Sequence, residues 1–170
     1  MIVYKSKIFK IREEKVRLPN GKSPIYTLVD HPGAIMVIPI IEDKIMLIRE
    51  YRPAVKQWLY QLPAGTIELG ESPKQTASRE LVEEVGYSSN KIKFIFKSYT
   101  TPGTSNEVMY FFLAEDLKKS KQNLDENEAI EVKPTKITKI LEMIKSGKIK
   151  DNNTISGIMY YVHVYQQNKL

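Results

Sequence analysis

Three glutamates, at positions 80, 83 and 84, lie close together in the segment RELVEEVG. Along a helix their side chains fall within an arc of roughly 100°, and the apolar residues of the same segment line the neighbouring stripe. Carboxylates on adjacent turns repel each other, and no Lys or Arg occupies the next turn. The alternatives are a solvated acidic face and a bound cation, which carboxylates without His or Cys would select as Mg²⁺ or Mn²⁺.

Local signals predict a helix that would hold these glutamates, between Glu71 and Gly86. Ser72 suits the N-cap and Pro73 the first helical position, and Gln75 completes a capping box with Ser72. Gly86 suits the left-handed position that ends a helix. One face of this helix is therefore acidic and the other belongs to the core.

The whole segment GTIELGESPKQTASRELVEEVGY resembles the Nudix box, the motif of the Nudix hydrolase family. The matching positions are Gly65, Glu71, Arg79, Glu80, Glu83, Glu84 and Gly86. Tyr87 is the one departure, at a position where the general pattern has an aliphatic residue that packs rather than reacts.

The resemblance implies an enzyme that uses water and a divalent metal to cut a diphosphate linkage. Glu80 and Glu84 would bind Mg²⁺ or Mn²⁺, Glu83 would support or share that role, and the backbone carbonyl of Ala64 would be a further ligand. We expect Arg79 to hold the helix and its glutamates through charge-assisted hydrogen bonds, with Glu71 as its partner.

A catalytic base is needed outside the box, and the resemblance places it in the acidic loop at residues 125–128. Its candidates are Glu126 and Glu128, one acting as the base and the other as a further metal ligand. The sequence leaves open which residue has which role.

Further features resemble the ADP-ribose pyrophosphatase branch: the spacing of Pro102 from the box, the segment EYRP, and the C-terminal segment GKIKDNNTISGIMYY. The implied reaction converts ADP-ribose and water to AMP and ribose 5-phosphate. The expected substrate-binding residues are Arg52, Phe9, Pro102 and Glu107. For Phe9, ordinary strand packing is an equal alternative.

Two other functions stay open. Another Nudix hydrolase, acting on nucleotide sugars, dinucleoside polyphosphates or capped RNA, would share the box and differ in its loops. A module that binds ADP-ribose without cleaving it commonly lacks a box glutamate, and this sequence keeps them all.

The predicted fold is a mixed α/β arrangement, the Nudix α/β/α sandwich with a mixed central sheet. Residues 1–30 alternate apolar and polar residues around a Pro-Asn-Gly turn and predict an antiparallel strand extension. The Nudix domain would then span residues 31–170, with core strands in AIMVIPII, KIMLIREY, KIKFIFKSYTT, EVMYFFLAEDL and AIEVKP. Two amphipathic helices close the chain, with apolar faces formed by Ile137, Ile140, Leu141 and Ile144, and by Ile155, Ile158, Met159, Val162 and Tyr165.

A short outlying sheet buries too little surface to be stable alone, so the N-terminal strands need a second surface. Relatives of the branch provide it by crossing to another subunit, which implies a homodimer in which Phe9, or Tyr4 in reserve, stacks on the adenine held by Arg52.

Composition bounds the remaining possibilities. The 170 residues are 42% hydrophobic, which suits one domain with a real core. The absence of cysteine excludes disulfides, thiolate metal sites and a cysteine nucleophile. No signal peptide or membrane span is expected, which favours the cytoplasm. The net charge of +6 comes from scattered lysines, so nucleic-acid binding is less favoured, and His31 and His163 are interpreted as structural.

Overall fold

The computed structural model describes residues 1–124, 126 and 128–167. The strands of this part of the chain are β1 (Ile2–Lys5), β2 (Lys10–Lys15), β3 (Ile25–Asp30), β4 (Ala34–Ile41), β5 (Lys44–Arg52), β6 (Gln57–Gln61), β7 (Ala64–Thr66), β8 (Tyr87–Ser88), β9 (Lys91–Tyr99), β10 (Val108–Glu115), β11 (Lys118–Lys119) and β12 (Ile130–Lys136). Its helices are α1 (Pro73–Val85), α2 (Ile137–Lys145) and α3 (Asn152–Tyr160), the last followed by a π-helical turn at Tyr161–Tyr165.

The central sheet has the strand order β12-β5-β4-β10-β9, with β6 paired to β5 and β7 paired to β4. Strands β4 and β10 run parallel, whereas the other neighbours are antiparallel. The predicted mixed sheet is therefore confirmed. Strands β6 and β7 were not predicted from the sequence, and β7 brings residues 64–66 beside α1.

The two faces of the central sheet are covered by different helices. On one face, Ala77, Leu81 and Val85 of α1 pack in a buried cluster with sheet residues such as Ile35 and Ile48. On the other face, the cluster contains Leu47, Phe111, Ile140 and Ile158, so α2 and α3 cover that side. These layers form the predicted α/β/α sandwich.

The N-terminal residues form a separate antiparallel sheet in the order β1-β2-β3, which confirms the predicted strand extension. This sheet joins the rest of the chain through Val29, whose N–H donates to Thr104 O at 2.8 Å and whose carbonyl accepts from Asn106 N–H at 3.2 Å. Phe9 lies in the turn between β1 and β2 and is half-buried beside Tyr4, with ring centroids 6.2 Å apart. Phe9 thus packs against a side chain of β1, and both the packing role and the nucleotide-stacking role stay predictions.

The C-terminal helices agree with the predicted apolar faces except at one residue. Ile140 and Ile158 are fully buried, whereas Met159 is exposed. The expectation that Met159 shares the apolar face is wrong. That face runs through Ile155, Ile158 and Val162, and Met159 lies beside it on the exposed side of the helix. No helix in the described ranges has the length and apolar character needed to cross a bilayer.

Candidate active site

Helix α1 begins and ends as its sequence predicts. The Ser72 side chain accepts from Gln75 N–H while the Gln75 side chain accepts from Ser72 N–H, so both halves of the capping box form. Pro73 is the first helical residue. Gly86 adopts the left-handed conformation, with φ of 74°, and its N–H closes the last turn. These terminal interactions fix the two ends of α1, and the packing of its apolar residues on the sheet sets the direction of its glutamates.

Two of the helix glutamates are buried against the backbone of β7. Glu80 is 7% exposed and Glu84 is 2% exposed. The N–H of Ala64 donates to Glu84 Oε2 at 2.8 Å. A Cβ atom at Gly65 would collide with the Glu80 carboxylate, so only glycine leaves room for that side chain. The present position of the Glu80 carboxylate against the strand therefore depends on residue 65 having no side chain.

Arg79 joins the acidic residues of the motif into one hydrogen-bonded network. Its guanidinium donates to both oxygens of Glu71, at 3.0 and 3.1 Å, to Glu80 Oε1 at 2.7 Å and to Glu83 Oε2 at 2.8 Å. The hydrogen bond from Arg79 lowers the pKa of Glu71 to about 2, and the Thr76 hydroxyl adds to that effect. Arg79 thus lies beside Glu71, where the sequence analysis expected it.

The same contacts correct an expectation about charge repulsion. No Lys or Arg follows the glutamates along the helix, but Arg79 precedes them and its guanidinium reaches Glu80 and Glu83. Among the described residues no cationic group contacts the Glu84 carboxylate, which accepts a hydrogen bond from the backbone N–H of Ala64. The electrostatic repulsion is therefore concentrated at Glu84.

Burial raises the pKa values of both inner glutamates. Desolvation raises the pKa of Glu80 to about 7 against the opposing charge of Arg79. Desolvation, followed by the charge of Glu80, raises the pKa of Glu84 well above its usual range. Folding thus holds two carboxyl groups where their ionised forms are costly unless a positive charge joins them.

The segment at residues 120–123, which precedes the acidic loop in the sequence, lies against the last turn of α1. Gln122 Nε2 donates to Glu84 O at 2.6 Å and Asn123 N–H donates to Glu83 O at 3.1 Å, which satisfies carbonyls of the last helical turn. The backbone before the loop is therefore attached directly to the helix that carries the buried glutamates.

The structure separates the two candidate bases. Glu128 is half-buried, and its charge contributes to the raised pKa values of Glu80 and Glu84. Glu126 is exposed. Asp125 and Asn127, which belong to the same predicted loop, lie outside the described residues.

One acidic residue of this cluster was not singled out by the sequence analysis. Glu50 of β5 is 8% exposed, and its charge also raises the pKa of Glu84. Arg52 Nη2 lies 2.8 Å from Glu50 Oε2, and Arg52 Nε donates to Gln61 Oε1 at 2.8 Å. The predicted substrate-binding Arg52 therefore borders the acidic cluster. The sequence contains one signal that could have identified Glu50, because it is an acidic residue within the apolar segment KIMLIREY.

The other predicted substrate-binding residues lie farther along the same end of the sheet. Pro102 lines a cavity of about 320 Å³ together with Arg12, Asp30 and Tyr99. Glu107 accepts from the Thr100 hydroxyl at 2.6 Å and lies 3.5 Å from His31 Nδ1. The nucleotide contacts assigned to Pro102 and Glu107 stay predictions, as does that of Phe9.

Four acidic side chains of this region, those of Glu80, Glu84, Glu50 and Glu128, act on one another electrostatically. Within the described part of the chain, no three His, Cys, Asp or Glu side chains lie close enough together to hold a metal ion. Glu50 Oε2 is buried without a hydrogen bond and lies 2.8 Å from Arg52 Nη2. Carboxylate oxygens prefer hard cations such as Mg²⁺ or Mn²⁺ over softer ions.

Comparison with known proteins places this arrangement in a family. The NUDIX domain pattern matches residues 30–155, which is most of the chain. The chain belongs to the Nudix hydrolase family. A second pattern, the nucleoside diphosphate sugar hydrolase N-terminal domain, matches residues 2–29.

Two relatives match almost the whole of this Nudix chain. An ADP-ribose pyrophosphatase of Bacillus subtilis (strain 168) is 36% identical over 93% of this chain and 87% of the relative. A methanol dehydrogenase activator of Bacillus methanolicus is 33% identical over the same shares. A solved structure titled an ADP compounds hydrolase superposes with a TM-score of 0.85 over 99% of this chain and 92% of that chain, at 24% identity, which supports the same fold.

The raised pKa of Glu80 predicts how the stability of the metal-free protein depends on pH. The pKa of the Glu80 carboxyl group is about 7 in the folded protein and 4.5 in the unfolded chain. Its protonation therefore contributes fully to the free energy of unfolding below pH 4.5, and this contribution is lost as pH rises through 7. We expect the Tm in chelator to fall by about 5 °C or more between pH 5 and pH 8. Excess Mg²⁺ should raise the Tm most at pH 8. A metal-free Tm that rises steadily over this range would contradict the burial of an ionisable Glu80.

Proposed function

We propose that this protein hydrolyses the diphosphate linkage of ADP-ribose to AMP and ribose 5-phosphate, with Mg²⁺ or Mn²⁺ as its cofactor. The observation that carries the proposal is the buried pair Glu80 and Glu84, held by α1 against the backbone of Ala64 and Gly65. The similarity to a relative named ADP-ribose pyrophosphatase, over 93% of the chain, supports the choice of substrate.

The cation would bind to the carboxylates of Glu80 and Glu84, with Glu83 and the carbonyl of Ala64 as further candidates. When bound, it supplies positive charge to the diphosphate and makes a nearby water more acidic. Arg79 keeps Glu80 and Glu83 in place through its hydrogen bonds and takes its own orientation from Glu71. Without Arg79, the two carboxylates would be free to turn away.

Glu128 is our choice of catalytic base, because it lies among the buried carboxylates whereas Glu126 is exposed. Its carboxylate would accept one proton from the attacking water as the water oxygen bonds to one phosphorus. The bridging oxygen then leaves with the other phosphate, so one P–O bond forms and one breaks. Arg52, at the edge of the cluster, would contact the nucleotide.

The wider class of nucleoside diphosphate sugars is the second candidate, favoured by the match of residues 2–29 to a nucleoside diphosphate sugar hydrolase N-terminal domain. A binding module without activity is less well supported, because every box glutamate is present. Capped RNA and dinucleoside polyphosphates have no specific observation in their favour. The cytoplasmic location expected from the sequence stays a prediction.

Hydrolysis of a substrate panel tests the proposal directly. ADP-ribose, ADP-glucose, GDP-mannose and a dinucleoside polyphosphate are incubated with Mg²⁺, with and without chelator, and products are separated by chromatography. We expect equal amounts of AMP and ribose 5-phosphate from ADP-ribose, the highest kcat/KM on that substrate, and no turnover in chelator. A higher kcat/KM on a nucleotide sugar would favour the second candidate, and no turnover on any compound would refute both.

The assignment of the base predicts unequal effects of two substitutions in the acidic loop. Glu128→Gln should lower kcat by roughly 10²-fold or more with little change in KM, because the amide cannot accept the proton. The acidic limb of its pH–rate profile should also disappear. Glu126→Gln is the matched control and should keep kcat within a few-fold of wild type. The opposite order of effects would move the base to Glu126.

We also propose that the protein is a homodimer in which residues 1–30 help to complete the partner's nucleotide site. In a single chain the N-terminal sheet leaves several large apolar side chains exposed, among them Ile2, Val3, Tyr4, Ile8 and Ile25. Apolar surface of this kind commonly marks a protein interface. The half-buried Phe9, next to Tyr4, is the side chain that we place against the adenine.

The dimer proposal predicts a binding defect in Phe9→Ala. Loss of an aromatic that stacks on a base costs about 1–3 kcal/mol, so KM for ADP-ribose should rise roughly 5-fold to 100-fold while kcat changes far less. Phe94→Ala, which truncates an exposed aromatic of the central sheet, should leave KM unchanged. A monomer by light scattering at micromolar concentration, or an unchanged KM in Phe9→Ala, would contradict the proposal.

A further inference from the structure

Helix α3 begins in the C-terminal segment that resembles the ADP-ribose pyrophosphatase branch, yet it lies on the face of the sheet opposite α1. Its first turn is fixed by a cap, because the Asp151 side chain accepts from Thr154 N–H at 2.7 Å. Thr154 is fully buried. Any effect of this segment on the α1 side must therefore pass through the sheet.

The Thr154 hydroxyl holds the short connector between β6 and β7, residues 62–63. Leu62 N–H donates to Thr154 Oγ1 at 2.9 Å, and both residues are fully buried. Leu62 lies between the strands, since β6 ends at Gln61 and β7 begins at Ala64. A buried backbone N–H needs a hydrogen-bond partner, and here α3 provides it.

The connector is also fixed by close packing and by β4. A Cβ atom at Gly157, one turn after Thr154, would lie 3.0 Å from Leu62 Cδ1, which is tighter than ordinary van der Waals contact. On the other side, Val37 N–H donates to Pro63 O at 2.9 Å. The position of the connector is therefore set jointly by α3 and the central sheet.

One peptide bond carries this constraint to the opposite face of the sheet. Leu62 packs in the buried cluster that contains Ile158 of α3. Gln61 pairs with Ile48, which belongs to the cluster on the α1 face. Because successive residues of an extended chain point to opposite faces, a displacement of Leu62 also displaces Gln61.

Gln61 determines where the guanidinium of Arg52 lies. In the pairing of β5 with β6, Arg52 is opposite Gln57, whereas Gln61 is opposite Ile48, four residues back along β5. Arg52 Nε nevertheless donates to the buried Gln61 at 2.8 Å. The Arg52 side chain therefore runs back along β5, and 38% of it stays exposed and open to a ligand.

We propose that Thr154 and Gln61 are positioning residues for Arg52, the residue assigned to the nucleotide. Thr154 fixes Leu62, the chain carries that position to Gln61, and the Gln61 side chain directs the guanidinium. Helix α3 thus controls a substrate contact on the other face of the sheet. The inference rests on the proposed function in its assignment of Arg52 to substrate.

The experiment compares two substitutions of Thr154 in the full-length protein. Thr154→Val keeps the shape of the side chain and removes the acceptor, whereas Thr154→Ser keeps the hydroxyl. We expect Thr154→Val to raise KM for ADP-ribose about 5-fold or more with little change in kcat, since Arg52 binds the ground state and the transition state alike. Thr154→Ser should keep KM within about 2-fold of wild type.

A matched control separates positioning from lost stability. Ile140→Val removes one buried methyl group from α2 and should lower the Tm without changing KM. Gln61→Leu should raise KM as Thr154→Val does. In an Arg52→Gln background, Thr154→Val should raise KM no further, because its effect passes through the missing guanidinium. An equal rise in both backgrounds, or a raised KM in Ile140→Val, would overturn the inference.

NMR of the free protein tests the orientation of Arg52 without turnover. The ¹H–¹⁵N signal of Arg52 Nε–H is identified by its loss in Arg52→Gln. We expect Thr154→Val to shift this signal and speed its exchange with solvent, and Thr154→Ser to retain it. An unchanged signal in Thr154→Val overturns the inference even if ADP-ribose is hydrolysed. A changed signal in a protein that hydrolyses no nucleotide would uphold the positioning and refute the proposed function.

Discussion

The contact between the carboxylates of α1 and the backbone of β7 is the constraint on which the site depends. Glu84 accepts from the N–H of Ala64, and Glu80 occupies the space that a side chain at residue 65 would fill. This contact removes two ionisable groups from water and leaves them close to each other. Ionised carboxylates in this position are unfavourable without a counter-charge, so the contact favours either their protonation or the bound cation of the proposed function.

The rest of the structure is arranged so that this contact persists. The capping box and Gly86 fix the two ends of α1, while Ala77, Leu81 and Val85 fix its rotation against the sheet. Arg79 offsets the charges of Glu80 and Glu83, and the cation of the proposed function would offset that of Glu84. The segment at residues 120–123 is hydrogen-bonded to the last turn of α1, the helix that carries the proposed ligands.

Much of this site could be predicted from local sequence, because its signals lie within one helical segment. Ser72, Pro73, Gln75 and Gly86 determine where α1 begins and ends through interactions between residues at most five positions apart. The side of the helix that faces the core follows from the spacing of its apolar residues. The hydrogen bonds from Arg79 to Glu71 were also predictable, because both residues belong to the motif.

The remaining features depend on contacts between distant segments. Glu50 lies near the residues that precede β12 because β5 pairs with β12, about 80 residues later in the chain. The placement of Glu128 and Glu126 depends on the same pairing, which the acidic composition of their loop does not encode. Met159 was predicted on the wrong face because periodicity alone does not give its position relative to the sheet.

The most direct test of the account combines two measurements on Glu84→Gln. If the buried charge of Glu84 is unfavourable alone and needed for the cation, the variant should lose nearly all ADP-ribose hydrolysis at saturating Mg²⁺. In chelator at pH 8 it should also melt higher than wild type, by about 2 to 4 °C for a stabilisation of about 1 kcal/mol. Hydrolysis within a few-fold of wild type, or a lower metal-free Tm in a folded variant, would contradict the account.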